Sequence, residues 1–274
     1  MALMLLFSLF DSSAGLFIKL IPWNPFVTAG LRGFLTFFVL LVFYRSRKTS
    51  FRLSRLSFFG STIIAVMFIS FIIATRITSA ANAALLQYTN PVFILLFGRV
   101  FFKQKVKLVD MGIVTFVLAG ILLLFSGSFE EGRALGNVLA LLSGIAFAGM
   151  FTFNNRVRSE EDHIGAILLG HIFTFLICIP FLFLFPPDFS ASKIQLLIAM
   201  VVFQQAIPFI LYARAIRICP PLAASLITMM GPVLNPFLVW IFTGETPTGR
   251  TVAGGVIILL AVGLWSFHNL KEGT

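Results

Sequence analysis

The feature that most constrains this chain is a series of uninterrupted apolar segments, each about 20 residues long, which recur along the whole sequence. A helix rises about 1.5 Å per residue, so about 20 residues cross the roughly 30 Å hydrocarbon core of a bilayer. Only 11% of the residues are charged, whereas a soluble domain carries about 25%. The sequence therefore predicts a membrane protein that crosses the bilayer many times.

Polar breaks divide the chain into ten predicted transmembrane helices. They lie near residues 2–20, 25–44, 57–75, 80–99, 109–127, 134–153, 164–185, 194–213, 220–242 and 250–268. Continuous apolar runs exclude a barrel, whose strands alternate in segments of about ten residues. The predicted fold class is all-α. We expect the first ten residues to belong to the first span and not to a cleaved signal, because they lack a basic start.

Cationic residues are unevenly divided between the loops on the two sides of the membrane. If the N-terminus is inside, 14 of the 20 Lys and Arg residues lie in inner loops and 5 in outer loops, while Arg32 lies within a span. Cytoplasmic loops carry the excess of positive charge. The sequence thus predicts a multi-pass protein of a bacterial inner membrane with both termini in the cytoplasm. Because orientation explains the net charge of +10, we expect no nucleic-acid partner.

Motifs for enzymatic chemistry are missing from the sequence. It contains no phosphate-binding loop, no H-E-x-x-H zinc motif and no C-x-x-C pair. Its two cysteines, Cys178 and Cys219, lie in or beside apolar segments and imply no disulfide framework. We therefore expect no catalytic residues, no metal and no cofactor, and the chain is not predicted to be an enzyme.

The two halves of the sequence, residues 1–129 and 130–274, resemble each other at an offset of about 140 residues when Pro91 is aligned with Pro232. Each half holds five predicted spans. An odd number of spans places the second half upside down in the membrane. Inverted repeats are typical of secondary transporters, in which two similar halves exchange conformations around a site at the midplane. The sequence therefore predicts two inverted five-helix repeats and transport by alternating access.

Three segments resemble the EamA branch of the drug/metabolite transporter superfamily. They are TSAANAALLQYTNPVFILLF (78–97), PPLAASLITMMGPVLNPFLVWIFTGE (220–245) and GGVIILLAVGLW (254–265). Glu245 stands where this family usually carries a glutamate after the proline-containing helix, and Gln104 replaces it in the first half. The resemblance implies two five-helix repeats and a central cavity lined by helices 1, 3, 4, 6, 8 and 9. It leaves the substrate open among amino acids, other metabolites, nucleotide derivatives and drugs.

Charged residues inside predicted spans are candidates for a substrate site, because each is costly in the bilayer unless it is paired or hydrated. Asp11 is the only acid well inside a span and lies about halfway along helix 1. It is either a carboxylate that binds a proton or a substrate amine, or one half of a structural ion pair with Arg32 in helix 2. His171 lies opposite Arg32 in the aligned halves and is expected to be a packing residue.

Polar residues beside prolines give further candidates. A polar run at 87–90 precedes Pro91 in helix 4, where a break in the helix would expose backbone groups to a cavity. In helix 8, Gln204, Pro208 and Tyr212 share one face of an ideal helix. The alternatives are a packed kink and interhelical hydrogen bonds. The predicted substrate-binding residues are Asp11, Gln87, Tyr88, Asn90, Gln204, Gln205 and Tyr212, with Arg32 as a candidate charge partner.

These residues predict a mostly neutral, polar site with one acid, which suits a zwitterion or a cation better than a polyanion. The function predicted is secondary active transport of a small organic metabolite, with export of an amino acid or a related amphipathic compound as the leading case. The alternatives are a facilitator or channel-like permease, and a carrier of nucleotide derivatives or other anionic metabolites. Protons are the candidate coupling ion, the lipid bilayer is the surrounding partner, and the choice between monomer and homodimer stays open.

Overall fold

The computed structural model describes residues 2–13, 16–17, 20–78, 80–126, 134–155, 157, 159–244 and 246–272, and within these ranges every regular element is a helix. We number the helices after the ten predicted spans and mark the parts of a broken helix a and b. They are α1 (Ala2–Asp11), α2 (Pro25–Ser46), α3 (Arg55–Ile77), α4a (Ala80–Gln87), α4b (Asn90–Phe102), α5 (Leu108–Phe125), α6 (Ala134–Asn154), α7 (Glu160–Leu184), α8a (Ala191–Ala199), α8b (Ile207–Ala215), α9a (Pro221–Thr228), α9b (Met230–Thr243) and α10 (Gly249–Glu272).

Nine segments of the described ranges are long and apolar enough to cross a membrane, and α1 is a shorter apolar helix. The predicted all-α membrane fold is therefore confirmed. The inverted relation of the two halves stays a prediction. Glu245 lies outside the described residues, as do Ala14, Gly15, Ile18 and Lys19 of the first predicted span.

The helix starts follow from local capping. Pro25 opens α2 and the Asn24 side chain accepts a hydrogen bond from the backbone N–H of Phe26 at 3.0 Å. Helix α7 begins at Glu160, four residues before the predicted start at 164. Ser159 caps it, and its first turn carries Glu160, Glu161 and Asp162. Acidic residues are stable at a helix N-terminus because the helix dipole is positive there, so charges that looked like a loop belong to the helix.

Three of the helices are interrupted at mid-span. Helix 4 is broken at Tyr88–Thr89, directly before Pro91, and helix 9 is broken at Met229. The interruption in helix 8 is different, because residues Met200–Ala206 form a π-helical segment between α8a and α8b. A π segment widens the turn and often occurs at functional sites. The breaks in helices 4 and 9 fall where proline weakens a helix, whereas no residue pattern signalled the π segment.

The helices pack in pairs that relate the two halves of the chain. Helix α3 packs against α6 and α7, α1 packs against α8b, α2 packs against α7, and α5 packs against α10. Small residues allow close approach at two of these crossings. A β-carbon at Gly33 of α2 would lie 2.8 Å from the carbonyl oxygen of His171 in α7, and one at Gly254 of α10 would collide with the backbone of Gly120 and Leu124 in α5.

The loop between α2 and α3 is bonded to the start of α7. Ser54 donates a hydrogen bond to the Asp162 carboxylate at 2.6 Å, and Arg52 forms an ion pair with Glu161 at 3.3 Å. Beside them, Arg217 at the end of helix 8 pairs with Glu160 at 2.6 Å. These contacts fix α2, α3 and α7 to one another at this end of the bundle.

Candidate functional site

Three helices bring an acid, an amide and an arginine into one chain of contacts. Gln204 in the π segment donates a hydrogen bond from Nε2 to Oδ1 of Asp11, at the end of α1, over 3.3 Å. The Oε1 atom of the same amide accepts a hydrogen bond from Nη1 of Arg32, in α2, also over 3.3 Å. The amide therefore stands between the carboxylate and the guanidinium, with its donor facing the negative group and its acceptor facing the positive one.

The second glutamine of the pair holds the first. Nε2 of Gln205 donates to Oε1 of Gln204 at 2.6 Å, and both side chains are buried, with 1% and 4% of their surface exposed. Oε1 of Gln205 is buried without a hydrogen-bond partner in the described structure. We call Asp11, Arg32, Gln204 and Gln205 the charged cluster. It lies where α1, α2 and helix 8 meet.

The direct ion pair considered for Asp11 and Arg32 is not formed. Among the described residues no carboxylate oxygen lies within 4.0 Å of the Arg32 guanidinium, and the ion pairs of Arg52 and Arg217 lie at the start of α7. Gln204 stands between the two charges and bonds to each of them. Both charged groups therefore keep hydrogen-bonding capacity that neighbouring residues do not use.

The Phe68 ring contacts the arginine, and the rings of His171 and Phe209 lie beside Phe68. The Arg32 guanidinium carbon lies 5.1 Å from the centre of the Phe68 ring, within the range of a cation–π contact. The His171 ring lies 5.8 Å from Phe68 and 4.8 Å from Phe209. His171 is 1% exposed, and its Nε2 is buried without a hydrogen-bond partner in the described structure. The sequence indicates packing for His171, and no sequence pattern distinguishes Phe68 among the 34 phenylalanines.

Two of the predicted residues of helix 4, Gln87 and Asn90, belong to a separate group of contacts. Nε2 of Gln87 donates to the Ser143 hydroxyl of α6 at 2.5 Å, and the Ser225 hydroxyl of α9a donates to the side-chain oxygen of Asn90. Nδ2 of Asn90 donates to the backbone oxygen of Gln87 at 3.3 Å, across the helix break. We call Gln87, Asn90, Ser143 and Ser225 the amide cluster. It joins helix 4 to α6 and α9a.

The side chains of the other two predicted residues form no hydrogen bond with either cluster in the described structure. The Tyr212 hydroxyl donates to the backbone oxygen of Met150 at 2.8 Å and accepts from Asn154 at 3.0 Å, so it joins α8b to α6. Half-buried Tyr88 directs its hydroxyl toward Gly231, where an added β-carbon would lie 3.7 Å from that oxygen and 3.9 Å from Oγ of Ser8. The structure thus brings together three of the seven predicted binding residues, with Arg32.

A metal centre finds no support in the described part of the chain, where no group of three His, Cys, Asp or Glu side chains is close enough to hold an ion. The charged cluster offers one carboxylate, one guanidinium, one orienting amide and one buried polar atom without a partner in the described structure, Oε1 of Gln205.

Comparison with known proteins shows which family this chain belongs to. An uncharacterized transporter of Clostridium kluyveri is 27% identical over 207 residues, which are 68% of this chain and less than two thirds (63%) of that protein. The pseudopaline exporter CntI of Pseudomonas aeruginosa is 21% identical over 81% of this chain and 80% of its own length. A solved crystal structure superimposes with a TM-score of 0.84 at 15% identity, over 100% of this chain and 98% of that one, which shows a shared fold.

A single family model, described as the EamA-like transporter family, matches the chain twice, over residues 1–126 and 134–267. The two matches leave out only short segments of the sequence. The chain therefore belongs to the EamA-like transporter family and is a multi-pass membrane transporter.

Proposed function

We propose that this transporter moves a small organic zwitterion or cation, with amino acids and related amphipathic compounds as the leading case, and that it does so by alternating access. The single observation that carries the substrate class is the charged cluster: Asp11 and Arg32 lie within the bundle, bridged by an amide and not paired with each other. Charges inside a membrane bundle are costly and usually mark a substrate or ion pathway.

The pairing of the helices supports alternating access between two equivalent halves. Each helix of one half can be replaced by the helix five places away in the other half. The contact of α3 with α6 then becomes the contact of helix 8 with α1, and the contacts of α2 with α7 and of α5 with α10 stay the same. One family model matches each half separately. Two similar halves can adopt each other's conformation, which opens a central site first to one side and then to the other.

The direction we propose is export across the inner membrane. A relative that matches 81% of this chain is named as a pseudopaline exporter. Arg32 is the one cation in the charged cluster as the structure describes it. A carrier of phosphate esters would need several Lys or Arg groups around its ligand. A proton taken up by Asp11 is the proposed coupling ion.

Transport is tested in proteoliposomes that contain the purified protein. The vesicles are loaded with a defined mixture of amino acids, amines, nucleosides and sugar nucleotides, and the released compounds are identified by mass spectrometry. For each compound released, unlabelled compound on the opposite side should accelerate the exchange of labelled compound. A carrier shows this acceleration because the loaded site reorients faster than the empty one. A flux that does not respond, or single-channel currents, would contradict alternating access.

Orientation is tested with single cysteines on a background without Cys178 and Cys219, which are both buried. We expect Ser46→Cys to react with a membrane-impermeant maleimide only in opened cells, and Thr248→Cys to react in intact cells. Both positions are exposed, and they lie at the end of α2 and just before α10, which are predicted to face opposite sides. The reverse labelling pattern would invert the proposed topology and place both termini outside.

A further inference from the structure

Arg32 has more hydrogen-bonding capacity than its surroundings use. A guanidinium carries five N–H donors, and the described contacts of Arg32 use one of them, to Gln204. Its remaining contact is with the face of Phe68. A structural arginine inside a bilayer is normally paired with a carboxylate or with several carbonyl groups, and the described residues supply neither. The unused donors are the first sign of a binding role.

Two buried polar atoms in the same region give a second, independent indication of a binding role. Nε2 of His171 and Oε1 of Gln205 are both buried and lack hydrogen-bond partners in the described structure. His171 shares Phe68 with Arg32, and Gln205 shares Gln204 with it. A buried polar atom without a partner costs about 1–3 kcal/mol, and a ligand that completes its hydrogen bond would recover that cost. Each of the two atoms belongs to a side chain that is linked to Arg32 through one shared neighbour.

The bridging amide indicates the size of that ligand. In the Gln204 amide the donor and acceptor atoms are about 2.3 Å apart, and they contact Asp11 and Arg32 at 3.3 Å each. In an α-amino acid the ammonium nitrogen and the nearer carboxylate oxygen are about 2.7 Å apart. The Gln204 amide and an α-amino acid therefore each present a donor and an acceptor at nearly the same separation. If the Gln204 side chain rotated away from Asp11 and Arg32, it would leave a gap that fits an α-amino carboxylate.

We infer that Arg32 binds the carboxylate of the transported molecule, assisted by His171, while Asp11 binds its α-ammonium group and Gln204 occupies the same gap when the site is empty. This inference rests on the proposed function and narrows it from zwitterion or cation to α-zwitterion. The reason is electrostatic. A ligand with one charge of each sign pairs both Asp11 and Arg32, whereas an amine leaves Arg32 unpaired and a carboxylic acid leaves Asp11 unpaired.

The inference is tested by ligand-induced thermal stabilisation, which needs no transport assay. Two matched sets of probes are used. One contains L-leucine, 3-methylbutylamine and 4-methylpentanoate, and the other contains L-phenylalanine, 2-phenylethylamine and 3-phenylpropanoate. In at least one set the amino acid should raise the melting temperature with a half-saturating concentration about tenfold or more below those of its two analogues. A charged hydrogen bond contributes about 1.5–3 kcal/mol, which corresponds to a factor of about 10 to 100.

Variants then identify the group that binds the carboxylate. Arg32→Gln should weaken amino-acid binding about tenfold or more and should remove the preference for the amino acid over the amine. Arg214→Gln is the matched control, because Arg214 is exposed at the end of α8b, and it should leave the preference unchanged. The double variant Arg32→Gln with Asp11→Asn removes both charges together. If an unpaired Asp11 destabilises the single variant, the double variant is compared with Asp11→Asn alone, and the difference between them reports the loss of Arg32.

Two results would overturn the inference. One is an amine that binds the wild-type protein as tightly as its amino acid. The other is an amino acid whose affinity is the same in Arg32→Gln as in the wild type. Stabilisation by none of the six probes would also reject the α-zwitterion assignment. The flux experiment with the wider metabolite mixture would still decide the proposed transport function, so the two can fail separately.

Discussion

Two groups of polar side chains in the described part of the bundle, the amide cluster and the charged cluster, differ in how completely their hydrogen bonds are satisfied. In the amide cluster, the Gln87 amide donates to Ser143, and Asn90 both accepts from Ser225 and donates to a backbone oxygen freed by the helix break. In the charged cluster, Asp11 and Arg32 share one amide, and Oε1 of Gln205 has no partner in the described structure.

This difference separates two uses of the same residue types. Glutamine and asparagine in a membrane helix are often interhelical connectors, and the amide cluster fits that role because it ties broken helix 4 to α6 and α9a. The charged cluster holds two charges and one polar atom without a hydrogen-bond partner in the described structure. Inside a membrane bundle such groups cost free energy unless they are paired. We therefore predict that substitutions in the charged cluster change substrate affinity and transport, and that substitutions in the amide cluster change stability.

The largest effect is expected for Asp11→Asn. Loss of the carboxylate removes the partner of the substrate ammonium and the site of proton uptake, so transport should fall by about tenfold or more, and its dependence on pH should flatten. Among the described residues, Arg32, Cys178, His171 and Tyr88 are the other charged or titratable groups near Asp11 or Arg32. The measurement is initial flux in proteoliposomes between about pH 5.5 and 8.5, a range that includes the unperturbed pKa of histidine.

Asp188→Asn is the control for this substitution. Asp188 lies in the exposed loop between α7 and α8a, where its side chain accepts a hydrogen bond from the backbone of Ser190 at 3.0 Å, and asparagine can accept the same bond. Its flux and pH profile should match those of the wild type. If well-folded Asp11→Asn also matched the wild type, Asp11 would be removed from the site.

A smaller effect is expected for Gln205→Leu. Oε1 of Gln205 is buried without a hydrogen-bond partner in the described structure, and a leucine of similar volume would remove this acceptor from the site. The apparent KM for substrate should rise several-fold, by about 1 kcal/mol of binding free energy, with little change in kcat. An unchanged KM, measured from the concentration dependence of flux, would make Gln205 a packing residue.

The sequence predicted the fold class and the candidate residues better than it predicted their grouping. Hydropathy and charge suffice for ten helical spans, since the bilayer imposes length and composition on each one. The partners of the polar residues, however, come from distant parts of the chain: Ser143 lies 56 residues from Gln87, and Gln204 lies 193 residues from Asp11. No local pattern tells a satisfied glutamine from an unsatisfied one.

The π segment shows a second reason why the grouping was missed. An ideal helix places Gln204 and Tyr212 on one face, but residues Met200–Ala206 are wound with wider turns, which changes the register between them. Gln204 bonds to Asp11 and Arg32, whereas the Tyr212 hydroxyl bonds to Met150 and Asn154. The π segment packs against α1 and α2, and the sequence of helix 8 alone does not contain these contacts.

Within the amide cluster, Gln87→Leu should lower stability and leave KM unchanged. The substitution leaves the buried Ser143 hydroxyl without its amide partner, and interhelical hydrogen bonds in membranes are worth about 0.6 kcal/mol on average and up to about 1.7. A double-mutant cycle with Ser143→Ala, measured by thermal unfolding in detergent, should recover part of this loss because both partners are then apolar. A several-fold rise in KM would instead place Gln87 at the substrate.

The smallest effect on transport is expected for Tyr212→Phe, which removes one oxygen and keeps the ring that packs against Phe7 and Phe151. That oxygen accepts from Asn154 and donates to the Met150 carbonyl, both of α6, so its loss should cost about 1 kcal/mol of stability. KM should stay within the error of the wild-type value, because both hydrogen bonds join helices and neither involves the charged cluster. A rise in KM with an unchanged melting temperature would contradict this prediction. The Tyr212 hydroxyl would then have to reach the substrate in another conformation of the transport cycle. In that case, satisfied hydrogen bonds in this structure would not distinguish structural residues from binding residues.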